Sequence, residues 1–420
     1  MTPHRRRWYV VAALVLLALI TIVDRVCISA GKLQMAGELQ ISNIEFGWVF
    51  GVFTLGYAVA MIPVGWCADR WGPRRFLTLI VCIWSVLTAA TGLVGSFAPL
   101  VVLRFIFGMA EAGAYPGATR AIYNWIPISE RGLALGLFNF GARMGAAAGL
   151  TMVSFIVIHT GWRNSFILLG GVGLIWAALW FLFSRDLPPG AAPPLAEIKP
   201  TGDWPKIALS APALLLFYQY FAINFTFFLG YSWLLPHLEQ EFHLDPGQAG
   251  VYASIPLYCG ALAAWCGGNI VDRLYRRGYG AMSRAIPAIA GFTLAVMSVL
   301  AVAYVTTAEA FVALFAAAVF GLDLAVSPSW TTCSDLGGPN TGAVSACMNM
   351  VGSVGAFLST IAFPFVIKLT GRTRSYFILA TILNVLGALS WIKLGRASHF
   401  FALPSPPPES PQTQTHPVNG

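Results

Sequence analysis

Charged side chains are scarce in this sequence, and their scarcity argues against a soluble protein. Only 10% of the 420 residues are Asp, Glu, Lys or Arg, whereas 57% are hydrophobic. Soluble domains typically carry about 25% charged and about 45–50% apolar residues. The net charge of +8 is spread over short clusters between apolar runs, which favours membrane orientation over nucleic-acid binding. We therefore expect most of the chain to lie in lipid.

Signatures of metal binding, disulfide bonding and enzymatic chemistry are also missing. The seven cysteines show no C-x-x-C spacing, and the six histidines fall in expected loops, helix ends or tails. No paired nucleophile and base and no phosphate-binding loop can be recognised. The sequence therefore predicts no cofactor, no bound metal and no enzymatic activity.

Long apolar runs are the main feature that the sequence does have. A helix of about 20 mostly apolar residues crosses a bilayer, and twelve such runs are predicted. They lie near residues 8–30, 46–67, 76–95, 99–121, 132–157, 164–184, 208–236, 248–270, 284–305, 309–331, 342–367 and 375–396. The sequence thus predicts an all-α integral membrane protein with 12 transmembrane helices, six in an N-terminal bundle over 1–184 and six in a C-terminal bundle over 207–398.

The segments between and after these bundles are predicted to be exposed. Residues 185–206 are rich in proline, which breaks helices, and are expected to form a cytoplasmic linker. Residues 399–420 are proline-rich and polar, so we expect a disordered tail. Lys and Arg concentrate in the connections that would share one side with the N-terminus. This bias predicts cytoplasmic termini in a plasma membrane of the bacterial inner-membrane type.

A short motif occurs at the same place in both halves. Gly65-x-x-x-Asp69-Arg70 follows the second run and Gly268-x-x-x-Asp272-Arg273 follows the eighth, each with further arginines behind it. Two copies at equivalent positions indicate a duplicated architecture.

Over residues 8–396 the chain resembles the major facilitator superfamily of transporters. The resemblance implies two pseudo-symmetric six-helix bundles around a midplane cavity. It also implies a cytoplasmic charge network that helps to hold one conformation, formed by Asp69, Arg70, Arg74, Asp272 and Arg273. These arginines could instead serve only to set the membrane topology.

Five charged residues fall inside predicted helices of the first half. Asp24 and Arg25 are in the first helix, Arg104 and Glu111 share one face of the fourth, and Arg143 is near the middle of the fifth. Charges in lipid are usually paired or functional. Three arginines against two carboxylates leave a surplus positive charge, so protonation and anion binding would favour each other. A permanent pair of Arg143 with Glu111 or Asp24 is the structural alternative.

Four of these residues, Asp24, Arg25, Arg104 and Glu111, together with Tyr57 in the second helix, resemble the anion:cation symporter branch, which includes hexuronate, aldonate and aldarate transporters. The resemblance implies that Arg25 meets the substrate carboxylate, that Arg104 tunes Glu111, and that Asp24 and Glu111 couple protons. The expected substrate-binding residues are Arg25, Tyr57, Arg104, Arg143 and Asn349. Arg143 stands in a helix region that often carries a polar amide in sugar-acid carriers, which leads to the hypothesis that it binds a second anionic group.

The sequence therefore predicts a secondary active transporter that moves a small organic anion, a sugar acid or another carboxylate, into the cytoplasm together with protons. We expect a monomer in the lipid bilayer that works by alternating access and is driven by the proton gradient. No nucleic-acid partner is expected. Two alternatives stay open: an organic-anion or organophosphate exchanger, and a non-transporting membrane sensor. Asp323 has no evident cation in its own half, so the sequence leaves its role undecided.

Overall fold

The structure, a computed structural model, describes residues 3–188 and 202–396, and these residues are almost entirely helical. The helices are α1 (Pro3–Ala30), α2 (Lys32–Leu39), α3 (Asn43–Trp71), α4 (Pro73–Thr91), α5 (Phe97–Glu111), α6 (Ala114–Trp125), α7 (Arg131–Phe183), α8 (Trp204–Ala208), α9 (Ala211–Glu241), α10 (Pro246–Arg276), α11 (Met282–Val302), α12 (Ala308–Gly337), α13 (Thr341–Thr370) and α14 (Thr373–Arg396). The predicted all-α fold is confirmed. The predicted tail, residues 399–420, lies outside the described residues. The same holds for the middle of the predicted linker, residues 189–201.

The predicted apolar runs all overlap these helices. Within the described residues, ten helical stretches are long and apolar enough to cross a membrane. One of them, Phe97–Trp125, joins α5 and α6, and another, Ala308–Thr360, takes in α12 and most of α13. Helix α7 bends at Gly161, whose φ of 79° is accessible to glycine but strained for other residues. The exact count of twelve spans and the domain boundaries stay predictions.

Basic side chains define one end of the molecule, which we call the basic end. It contains the start of α1, the junctions between α3 and α4 and between α6 and α7, and the start of α11. At this end both halves contribute to one hydrophobic core, which includes Trp84, Leu135, Trp330 and Leu394. The basic end is therefore closed by direct packing between the halves.

The opposite end has two separate hydrophobic cores. One is built from the first half and includes Met35, Phe46 and Trp162. The other is built from the second half and includes Phe311 and Tyr376. Because each core draws on one half alone, the two halves are less closely joined here than at the basic end.

Two glycines bring α3 and α5 together beside the centre of the molecule. A Cβ atom at Gly108 would lie 2.2 Å from the backbone oxygen of Phe53, and one at Gly56 would lie 2.2 Å from that of Phe105. Small residues allow such backbone contact between helices in lipid. The contact places Phe53 and the neighbouring turn of α3 against the charged face of α5.

Candidate functional site

Arg25 and Glu111 form an ion pair at the centre of the first half. Arg25 Nε donates to Glu111 Oε1 at 2.8 Å, and the Glu111 side chain is fully buried while that of Arg25 is 27% exposed. The guanidinium carbon lies 4.8 Å from the ring centroid of Tyr57 and 5.4 Å from that of Phe53. A single hydrogen bond holds the pair, so most of the guanidinium donors are not engaged by Glu111. Arg25 can therefore meet an anion from the exposed side.

Asp24 and Arg104 are also buried, and both have polar atoms without a hydrogen-bond partner among the described residues. Asp24 is 2% exposed, and neither carboxylate oxygen accepts a hydrogen bond from a described residue. The Trp84 indole lies beside it without forming a hydrogen bond of good geometry. Arg104 lies between the rings of Phe53 and Phe107, at 4.9 Å from each centroid. A buried carboxylate without a donor is costly, which suits a group that carries a proton.

Tyr57 and Asn349 are joined across the two halves. Asn349 Nδ2 on α13 donates to the Tyr57 hydroxyl on α3 at 3.1 Å. Both were expected to contact the substrate, and the structure brings them together, with the Tyr57 ring beside Arg25. The bond engages one donor and one acceptor, so further hydrogen-bonding capacity remains at both groups.

Arg143 pairs with Asp323, which belongs to the other half. Arg143 Nη2 lies 2.6 Å from Asp323 Oδ1, and Arg143 Nε donates to both carboxylate oxygens at 3.2 and 3.1 Å. Its guanidinium carbon also lies 3.7 Å from the ring centroid of Phe227. The alternative pairing of Arg143 with Glu111 or Asp24 is therefore not the one formed, and Asp323 has the cation that its own half lacks.

Several residues near the site were missed by the sequence reasoning. Tyr115 lies close enough to Arg25 and Arg143 to interact with them electrostatically, and its ring packs on Trp330 at 5.4 Å between centroids. The available signal was its position four residues after Glu111, one helical turn further along. Phe53 and Phe227 gave no signal, because phenylalanines in apolar helices are usually packing residues.

The formal charges in the middle of the molecule balance when all six side chains are counted as ionised. The three arginines expected from the sequence lie near three carboxylates, since Asp323 from the second half joins Asp24 and Glu111. The surplus of one positive charge predicted for the first half alone disappears in the whole molecule. An added anion therefore needs one added positive charge to keep the centre neutral.

The repeated motif closes the basic end in two crossed contacts. Asp69 on α3 accepts hydrogen bonds from the amides of Gly342 and Ala343 at the start of α13, at 2.8 and 2.9 Å. Asp272 on α10 accepts from the amides of Gly132 and Leu133 at the start of α7, at 2.9 and 2.7 Å. Carboxylates are stabilised at helix N-termini by free amides and the helix dipole. Each contact joins one half to the other.

The arginines of the motif lie apart from these carboxylates. Arg70 packs on the Trp66 ring, Arg74 donates to the Phe181 carbonyl, and Arg273 is exposed without a hydrogen bond to a described residue. The cation nearest to Asp69 is instead Arg120, at 3.6 Å.

A further cluster at this end spans the halves through Asp335. Arg131 on α7 and Arg284 on α11 lie 2.9 and 3.0 Å from its two carboxylate oxygens.

Comparisons with known proteins agree with this architecture. Residues 14–360 match the Major Facilitator Superfamily. The chain is 32% identical to the probable sulfoacetate transporter SauU of Cupriavidus necator over 92% of this chain and 93% of that protein. It is 28% identical to the hexuronate transporter of Bacillus subtilis over 92% and 94% of the two chains.

The fold is also shared with solved transporter structures. The proton:xylose symporter XylE superposes with a TM-score of 0.77 at 14% identity, over 93% of this chain and 96% of that one. The transporter FucP in its outward conformation gives 0.73 at 14% identity, over 91% and 98%. The curated relatives carry small organic anions. The chain is a multi-pass membrane transporter and belongs to the Major Facilitator Superfamily.

Proposed function

We propose that this protein is a secondary active transporter that carries a small organic anion together with protons into the cytoplasm. The observation that carries the proposal is the charge arrangement around Arg25. Glu111 holds its guanidinium, and the nearby Asp24 carboxylate has no donor among the described residues. An incoming anion would bind Arg25 beside Glu111 or in its place, which adds a negative charge to the apolar interior. The interior stays neutral only if a carboxylate takes up a proton at the same time.

Each site residue has a distinct task in this proposal. Arg25 receives the substrate carboxylate, and Tyr57 and Asn349 exchange their mutual hydrogen bond for bonds to substrate oxygens. Glu111 and Asp24 carry the coupled protons. Arg104, held by two aromatic rings, keeps its charge near Glu111 and thereby limits how readily that carboxyl group is protonated. Arg143 meets a second anionic group where the substrate has one.

The distribution of basic residues and the closed end support the proposed inward direction of transport. The excess of Lys and Arg at the basic end favours a cytoplasmic location for that end and for both termini in a bacterial plasma membrane. With the basic end closed, the site would be reached from the outside, and rocking of the halves would then expose it to the cytoplasm. The transporter would act as a monomer, with the proton gradient as its source of energy and no cofactor.

The substrates named for the relatives support a narrower substrate class for this protein. Sulfoacetate, hexuronates, galactonate and the galactarate/glucarate pair are small carboxylates that carry hydroxyl groups or a second acidic group. A site with two accessible arginines and several neutral hydrogen-bonding groups fits that class. We therefore propose a hydroxylated or doubly acidic carboxylate as the substrate.

The test is uptake by proteoliposomes of sulfoacetate, D-galactonate and galactarate, with and without an inward proton gradient. We expect at least one of these anions to accumulate only when the gradient is imposed. Uptake that ignores the gradient and requires an internal anion would identify an exchanger instead. Proton-driven uptake of a neutral or cationic compound, with none of the anions, would contradict the proposal.

A further inference from the structure

The Arg143–Asp323 pair combines an accessible arginine with an inaccessible carboxylate. The Arg143 side chain is 21% exposed and that of Asp323 only 1%. Three hydrogen bonds join them through Nε and Nη2, whereas Nη1 makes no hydrogen bond with a described residue. An incoming anion can therefore contact Arg143 before the ion pair breaks.

Asp323 lies in a narrow space that suits a neutral carboxyl group. A Cβ atom at Gly260 on α10 would lie 2.1 Å from Asp323 Oδ2, so the carboxylate fills the room left by the missing side chain. Within the described residues, Arg143 is the charged group that faces Asp323, and Arg143 itself faces two titratable phenols, Tyr115 and Tyr220. If Arg143 turns to another anion, an ionised Asp323 would be left without a counter-charge in an apolar site.

We propose that Arg143 forms a second anion subsite, which Asp323 occupies in the absence of substrate and which the second anionic group of a dianion takes over as Asp323 accepts a proton. This inference rests on the proposed function and extends it to substrate charge. A guanidinium presents its donors as a planar fork that fits one carboxylate or sulfonate well, so the two anions compete for the same donors.

The number of protons transported with each substrate molecule should therefore depend on the charge of the substrate. A monoanion bound at Arg25 requires one proton, carried by Glu111 or Asp24. A dianion that also engages Arg143 requires a second, carried by Asp323. Because Arg143 and Asp323 belong to different halves, the exchange also replaces a direct bond between the halves by a bond through the substrate.

The experiment compares D-galactonate with galactarate, which share a carbon skeleton and differ by one carboxylate. Affinities of the purified protein are measured by titration calorimetry between about pH 6 and pH 8. Each coupled proton adds about one to the slope of log Kd against pH where the free carboxylate is ionised. We expect Asp323→Asn to lower the galactarate slope by one and to keep the galactonate slope at the value set by the remaining carboxylates.

Two further variants test whether the change in slope is specific to the Arg143–Asp323 pair. Glu38→Gln breaks another carboxylate–arginine pair, with Arg163 at 2.9 Å, far from the site at the opposite end, and should keep both slopes. Arg143→Gln combined with Asp323→Asn removes the pair without an unbalanced charge, and should lower galactarate affinity by at least about tenfold, in line with the loss of one charge-assisted contact.

Several outcomes would overturn the inference. In Asp323→Asn, equal changes in both slopes or two unchanged slopes would do so. Full galactarate affinity in the double variant would also do so, as would an unmodified protein that binds galactonate but neither galactarate nor sulfoacetate. In the last case gradient-driven galactonate uptake would leave the proposed function standing. If the unmodified protein takes up none of these anions with protons, the proposed function fails and the inference fails with it.

Discussion

Arg25 is hydrogen-bonded to one of the two buried carboxylates of the first half and not to the other. Glu111 accepts a 2.8 Å hydrogen bond from it, whereas Asp24 accepts none from a described residue. Glu111 is therefore the carboxylate that competes directly with substrate for Arg25. Loss of its charge should release Arg25 for the anion and remove the proton that normally accompanies it.

For Glu111→Gln we predict substrate exchange without accumulation. The glutamine keeps the size of the side chain but cannot carry the coupled proton. A gradient of one pH unit drives about tenfold accumulation for each coupled proton, so this accumulation should be lost, while exchange of labelled for unlabelled substrate continues. Both are measured in the same proteoliposomes. Glu130→Gln, which breaks an ion pair with Arg7 at the basic end, is the control and should retain accumulation. Normal accumulation by Glu111→Gln would contradict the assignment.

The sequence predicted most of the charged residues of the candidate site, but not the pairing of Arg143 with Asp323. Asp24, Arg25, Arg104 and Glu111 stand out because charges are rare in apolar helices, and their spacing alone places two of them on one helical face. The partner of Arg143 could not be predicted in this way, because Asp323 lies 180 residues away. That contact depends on how the two halves pack, which helical periodicity does not determine.

At the scale of helices, the repeated glycine and aspartate have one physical explanation. A Cβ atom at Gly268 would lie 2.3 Å from the Gly132 carbonyl oxygen, and one at Gly65 would lie 2.7 Å from that of Gly342. The glycine lets two helices touch, and the aspartate one turn later then reaches the free amides of the partner helix. The sequence predicted the repeat, and the family resemblance implied its charge network, but the donors to the two aspartates are backbone amides, which leave no mark in a sequence.

Gly268→Ala should therefore loosen the contact between α10 and α7. The added methyl group meets backbone, which cannot turn aside as a side chain can, so the Asp272 hydrogen bonds to Gly132 and Leu133 should weaken. We expect amide hydrogen exchange in a peptide over residues 130–136 to rise about tenfold, which corresponds to about 1.4 kcal/mol of lost protection. Gly250→Ala is the matched control on α10, since its Cβ would meet nothing within 4 Å. Equal protection in both variants would contradict this account.

At the scale of the whole molecule, the sequence predicts two halves but not which end they close. The repeat and the twelve apolar runs indicate a duplicated membrane protein. Alternating access requires two arrangements of the same halves with similar free energies. Composition and periodicity are the same in both arrangements, so neither can be selected from them. The closed basic end is visible only in the packing, where Asp69 and Asp272 bind the helix starts of the opposite halves.

The two crossed contacts should together determine how much of the protein is closed at the basic end. We predict that Asp69→Asn with Asp272→Asn shifts the equilibrium towards a form open at that end. Hydrogen bonds to charged groups contribute about 1.5–3 kcal/mol each, so the open-to-closed ratio should rise by at least about tenfold. Spin labels at Arg75 and Arg276, in a cysteine-free background, would then show a second, longer distance in pulsed electron spin resonance. Asp203→Asn, in an exposed pair at the linker, is the control and should retain the single short distance. A double variant with the same distance distribution as the control would show that other contacts, such as the shared hydrophobic core, hold the basic end closed.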